Sequence, residues 1–174
     1  MGAPPRTPYP PDLPEDAEEG LRPELGDLRD MAVDGADWAN RRAFKASLTR
    51  VELRRCRLTG AELAEAVLTD VVLADCHLEL AGLRFTKLQR VVFRDCRMRE
   101  SDFHGASLED VLFERCDLRE ATLAGAKMER VEMQGCELAA LCGVESLRSV
   151  RMPWNDVLAN APLFANAVGI EIVD

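Results

Sequence analysis

Aromatic residues are scarce in this 174-residue chain, at 5% of it. With apolar residues at 47%, any core it builds is aliphatic. Long apolar runs are absent: nothing approaches the ~20 consecutive residues of a spanning helix, so a membrane span is not expected. Histidine occurs only at His77 and His104. There is no glycine-rich phosphate loop, no acid pair set for general acid–base work, and no close cysteine pair with the spacing of a zinc site. No catalytic residue, metal ligand or cofactor site is therefore assigned. Positive charge is in deficit, with Lys plus Arg at 22 against 31 Asp plus Glu and a net charge of −9. Such a chain is repelled by nucleic acid and by anionic membrane surfaces. The opening stretch lacks the apolar segment of a secretory signal. The expected setting is cytoplasmic, with the six cysteines reduced.

What is present is a repeat. Residues 46–145 divide into twenty pentads without an insertion. A large apolar residue stands at each centre, from Leu48, Leu53 and Leu58 through Phe93, Met98, Phe103, Leu108 and Phe113 to Leu138; only Gly143 breaks the series. A helix repeats its buried face every 3.6 residues and a strand every two, so neither gives a period of five. A second period lies on the first. Two places before the centre, every fourth pentad reads Val51, Val71, Val91, Val111, Val131, and the next column reads Cys56, Cys76, Cys96, Cys116, Cys136. Four pentads therefore make one coil of twenty residues. The centre and the residue two before it point inward, the other three outward, and coils stack about 4.8 Å apart. Gly60, Gly105, Gly125 and Gly135 share the last pentad position, which suits a corner of positive φ. The cysteine column, with Phe93, Phe103 and Phe113, is assigned to core packing, since buried cysteine behaves as a compact apolar filler.

The pentads "AELAE", "CDLRE", "ATLAG" and "ASLED" resemble the A(D/N)LXX pattern of the pentapeptide-repeat family. The resemblance covers about 100 residues closely. It implies an all-β solenoid, a right-handed quadrilateral β-helix. It further implies a non-enzymatic protein that often dimerises through its C-terminal end. The family's best-understood members are acidic rods that mimic duplex DNA and bind gyrase or topoisomerase IV.

Around the repeat, residues 1–23 hold seven of the nine prolines and read as a disordered, acidic tail, with Tyr9 the one candidate docking point. Residues 24–45 read as an N-terminal cap or irregular first coil, because "RRAFK" departs from the pattern. Residues 146–174 read as a C-terminal cap of two short helices parted at Pro162, with "IEIV" as a last strand. Trp154, Val157, Leu158, Leu163, Phe164 and Val168 are its candidate dimer surface.

Two outward features remain. Val72, Val92 and Leu112 form an apolar column where polar residues are expected; with Leu80 and Phe85 they form a candidate interaction patch. Arg50, Asp70, Arg90, Asp110 and Arg130 form an alternating charge ladder expected at the surface, each step contributing little. The pentads carry 18 acidic and 14 basic side chains, interleaved on every face. Duplex mimicry needs an anionic face, and Asp70, Glu109, Asp110 and Glu129 are the best set available. The chain is thus expected to be a protein-binding or scaffold module with a protein partner, direct nucleic-acid binding being disfavoured. The alternative is a DNA mimic acting on a type II topoisomerase.

Overall fold

The computed structural model describes residues 3–9 and 23–173. Six strands form one parallel sheet in sequence order: β1 Leu28–Asp34, β2 Ser47–Arg54, β3 Val67–Ala74, β4 Lys87–Arg94, β5 Ser107–Glu114 and β6 Lys127–Gln134. Every partner lies twenty residues along the chain, as in Val51↔Val71, Val71↔Val91 and Val91↔Val111. Each strand spans two sides of a coil. The other two sides are held by single parallel bridges, one series running Arg57↔His77↔Arg97↔Asp117↔Glu137 and the other Glu62↔Gly82↔Asp102↔Thr122↔Cys142. The result is a four-sided β-solenoid.

The corners explain the period of five. Every fifth residue from Asp30 to Ala140 has a positive φ, between about 49° and 67°. Only five of these corners are glycine; the rest include Arg90, Asp110, Leu80 and Phe85. An L-residue in this region costs about 1 kcal/mol or more, and no β-branched residue stands at any corner. Backbone hydrogen bonds between coils offset the cost, for example Leu78 N–H to the Arg97 carbonyl at 2.6 Å and His77 N–H to the Cys56 carbonyl at 3.0 Å.

Inside, pentad centres from opposite sides meet. Phe93 and Phe113 stack on successive coils with centroids 5.0 Å apart, and Phe103 meets both edge-on at 6.3 and 6.1 Å. All three are fully buried. The five column cysteines are buried and unbridged. Each sulfur contacts two backbone carbonyls, as Cys96 Sγ does those of Leu73 and Arg94 at 3.4 and 3.3 Å. A carbonyl only accepts, so the sulfur carries its proton. Hydrogen bonding between neighbouring sulfurs and burial push the thiols of Cys56, Cys96 and Cys136 above their ordinary value. Cys76 and Cys116 make the equivalent contacts with carbonyls of their own and the preceding coil.

Both ends differ from the sequence reading. The regular stack begins one coil early: β1 pairs with β2 in the common register, and Trp38 and Ala43 occupy buried central positions. "RRAFK" simply puts a small residue inside and Phe44 outside. At the far end Gly143, at φ 82°, passes so close to Ala124 that a Cβ would lie 2.3 Å from its backbone nitrogen. A 3₁₀ turn over Val144–Ser149 then replaces the next strand. When the chain returns, Arg151 pairs with Glu132, one residue short of the usual offset. Ser146 and Ser149 hydroxyls donate to the Leu123 and Met128 carbonyls at 2.8 and 2.9 Å, so the last edge is capped by polar groups as well as by packing. Helices α1 Trp154–Ala159 and α2 Ala161–Ala167 follow. They part at Asn160, with Pro162 in the first turn of α2. The "IEIV" segment is not a strand, as Ile170 and Ile172 are both exposed with no edge to join.

Truncating Phe103 to alanine should lower unfolding free energy by roughly 3–5 kcal/mol and broaden the melt as the coils uncouple. A midpoint within a degree of the parent by circular dichroism would contradict this core. Titration with Ellman's reagent should find one reactive thiol in the native protein, the exposed Cys142, and all six after denaturation. Two or more fast-reacting native thiols would show that the column is open.

Candidate functional site

The structure does not gather the apolar residues named from sequence into one patch. Val72, Val92 and Leu112 stand at partnered positions of β3, β4 and β5, bracketed by Glu52 and Glu132 on the neighbouring strands. Their stacking shields the middle one, so Val92 is buried and only Val72 and Leu112 are half-exposed. Leu80 and Phe85 are exposed but sit at corners of the two bridged sides, away from this strip. Phe85 instead packs edge-on to His104 at 5.6 Å and overlies Gly105. At the C-terminal end Trp154, Leu158 and Val168 are exposed, Val157 is half-buried, and Leu163 and Phe164 pack against the core. Ser101 turns inward and donates to the Met98 carbonyl at 2.7 Å, leaving it no part with Asp102 or His104. Among the described residues, no group of His, Cys, Asp and Glu is arranged to hold a metal ion.

The charge ladder departs furthest from expectation. Asp70 and Asp110 are buried, at 5% and 1% exposure. The ladder is not continuous but divides into pairs, each arginine reaching back one coil to form a bidentate contact. Arg90 donates Nε and Nη2 to Asp70 at 2.6 and 2.8 Å. Arg130 donates the same nitrogens to Asp110 at 2.7 and 3.1 Å. Arg50 holds Asp30 in the same way. Left-handed turns alone do not bury an aspartate, since Asp75 and Asp95 share the corner conformation and are exposed; what distinguishes Asp70 and Asp110 is the cover of arginine and residues 3–9.

A second layer covers the pairs. Residues 3–9 lie across this side, where the Arg6 N–H donates to Asp110 Oδ1 and the Tyr9 N–H to Asp70 Oδ1, both at 3.0 Å. The Tyr9 ring lies 5.6 Å from the Arg90 guanidinium carbon, a cation–π contact. The expectation of a disordered tail falls, for residues 10–22, outside the described residues. Sequence reading found Tyr9 but not its partners. The signal was available in the three-residue spacing of Arg6 and Tyr9 in a proline-rich stretch, matched to aspartates two coils apart.

These contacts set the electrostatics. Burial raises the Asp70 carboxyl, but the Arg90 guanidinium and the Tyr9 N–H outweigh it, and the net shift is below the usual range. Arg130 holds Asp110 low, against burial and with help from the Arg6 N–H. The set proposed as a phosphate surrogate is thereby consumed, since Arg130 also pairs with Glu109 at 2.6 Å and with Glu129. Elsewhere Arg94 meets Glu114 at 2.6 Å and Arg115 meets Asp95 at 2.7 Å.

A carboxyl depressed in the folded state stabilises above its unfolded pKa of about 3.9 and loses that contribution as pH falls through the folded value. The thermal midpoint should therefore be level from pH 8 to 5 and fall below about pH 4. Asp110→Ala should show a shallower fall over the same range. An unchanged midpoint for the parent at pH 3 would contradict the assignment.

Residues 46–123 match the profile of a pentapeptide repeat region, and residues 108–139 that of pentapeptide repeats in eight copies. No curated protein sequence matches this one. Among solved structures, full-length QnrB1, a plasmid-mediated fluoroquinolone resistance protein, aligns with a TM-score of 0.44 at 12% identity, over 80% of this chain and 99% of that one. A pentapeptide repeat protein from the Arabidopsis thaliana thylakoid lumen aligns with a TM-score of 0.37 at 15% identity, over 78% and 77%. HetL, a pentapeptide repeat protein involved in heterocyst differentiation regulation in Nostoc sp. strain PCC 7120, gives 0.20 at 15% identity, over 72% and 90%. At these scores the likenesses bear on neither partner nor activity.

Proposed function

The chain belongs to the pentapeptide-repeat family, and from that premise we propose that it is a non-catalytic, protein-binding rod whose main interface is its C-terminal end. The distribution of exposed apolar side chains carries this reading. Of the eleven large apolar residues exposed among the described residues, six lie in the last stretch: Trp154, Leu158, Val168, Ile170, Ile172 and Val173. Burying exposed apolar side chains of this kind, an aromatic residue among them, is what a stable interface requires. A second copy of the same end is the simplest partner, because a two-fold contact pairs the patch with itself. The half-exposed Val72 and Leu112 form a smaller strip for a protein partner on the sheet side. No helix among the described residues is long and apolar enough to cross a membrane.

Mimicry of duplex DNA toward a type II topoisomerase is the competing reading, motivated by the net charge of −9. Against it stands the pairing of the acidic side chains with arginines across successive coils, as Asp110, Glu109 and Glu129 are with Arg130.

Light scattering should give about twice the 19.3 kDa chain mass. Trp154→Ser/Leu158→Ser/Val168→Ser should halve it with an unchanged circular dichroism spectrum. In a supercoiling assay, low-micromolar protein should leave gyrase unaffected. A monomeric parent would overturn the interface. Gyrase inhibition that Glu109→Lys/Glu129→Lys abolishes, and the C-terminal variant does not, would establish the mimic.

A further inference from the structure

The paired aspartates and arginines form a track with a repeat of its own. Asp70 and Asp110 are two coils apart, which at the spacing of paired strands is about 9.6 Å. A polyproline II chain rises about 3.1 Å per residue, so residues three apart stand about 9.3 Å from one another. Arg6 and Tyr9 are three apart, and their amides reach the equivalent atom, Oδ1, of the two aspartates at the same 3.0 Å. In each case that oxygen is shared with the Nε of the paired arginine. The segment's sequence is suited to the task. Pro8 between the two donors, and Pro4 and Pro5 before them, favour the extended conformation and bring no N–H groups needing partners. Side chains add specificity at both ends: the Tyr9 ring covers Arg90, and Arg6 Nε lies 3.9 Å from Asp110 Oδ2. The two carboxylates are held by bidentate arginines that belong to the stack itself, which preorganises the acceptors.

We propose that the Asp70–Arg90 and Asp110–Arg130 pairs form a binding track for proline-rich peptides in the polyproline II conformation, read through two amides three residues apart, and that residues 3–9 are its resident intramolecular ligand. The segment runs opposite to the growth of the stack, residue 6 on the later coil and residue 9 on the earlier. A tethered segment acts at an effective concentration of order millimolar, so it blocks the track against dilute peptides until released. This site is on a different part of the molecule from the C-terminal interface and does not depend on it.

The test uses the full chain and a labelled peptide of residues 3–9, Ala-Pro-Pro-Arg-Thr-Pro-Tyr. Arg6→Pro/Tyr9→Pro removes both donating amides from the tethered segment while keeping it extended. Fluorescence anisotropy should show the peptide binding this variant at least tenfold more tightly than the parent. A control peptide N-methylated at the same two amides should not bind. Adding Asp110→Ala to the variant should cost tenfold or more in affinity. That substitution leaves Arg130 paired with Glu109 and Glu129, and an unchanged circular dichroism spectrum with a cooperative melt would verify the fold. Equal peptide affinity for parent and variant, binding of the methylated control, or binding that survives Asp110→Ala in a folded protein would each overturn the proposal. If the track instead exchanges segments between two copies, Arg6→Pro/Tyr9→Pro would convert a dimer to a monomer, and that result too would overturn the intramolecular assignment.

Discussion

Each coil hydrogen-bonds to the next across a twenty-residue offset, and that offset constrains what every other position can be. To close a square in twenty residues the backbone turns four times, at every fifth residue, in the left-handed region that L-residues avoid. Most of these corners are not glycine, so their cost is met by the ladders they make possible. Because the ladders are parallel and in register, like residues lie over like. The valine and cysteine columns, and the stack of Phe93 on Phe113, follow from one geometric requirement.

The same register explains why a net charge of −9 does not yield an acidic face. Stacking places residues twenty apart side by side, so an acid on one coil lies beside whatever occupies that position on the next. Along the Asp70 to Arg130 column the neighbours alternate in sign, and the molecule resolves the alternation into closed, buried pairs. A bidentate, water-excluded pair fixes geometry more than it adds stability. It turns a flexible charged surface into one with acceptors at fixed intervals.

Much of this fold is legible in the sequence, because its rule is one of counting. The inward direction of Phe103 and Cys96, the positive φ at Gly60 and Gly105, and the change of structure after Gly143 all follow from phase alone. What phase does not give is depth. Asp70 and Asp110 stand at a nominally outward position, yet arginines and a distant segment cover them. Val92 is outward too, but its stacked neighbours bury it. Leu80 and Phe85 read as companions of that strip only while the coil is treated as a flat list; folding sends them round other corners. The docking of residues 3–9 depends on a match between two spacings in separate parts of the chain, which no local pattern reports.

The unbroken run of left-handed corners from Asp30 to Ala140 has a genetic consequence. Losing one codon within the repeat would slide the following residue onto each later corner, and in most coils that residue is a core valine, alanine or cysteine; gaining one would place the preceding, outward residue there. Gaining five codons would keep the corners but rotate the later coils by one side, setting cysteines over alanines at the junction and separating any aspartate from its arginine where the insertion falls between them. Only duplication or loss of a whole coil's coding segment preserves both the corners and the columns. Even then, one extra coil between Asp70 and Asp110 would change their separation and leave the three-residue step of the N-terminal segment out of measure. The length of this rod is therefore quantised in whole coils by its backbone, and the N-terminal segment fixes the separation of Asp70 and Asp110 at two of them.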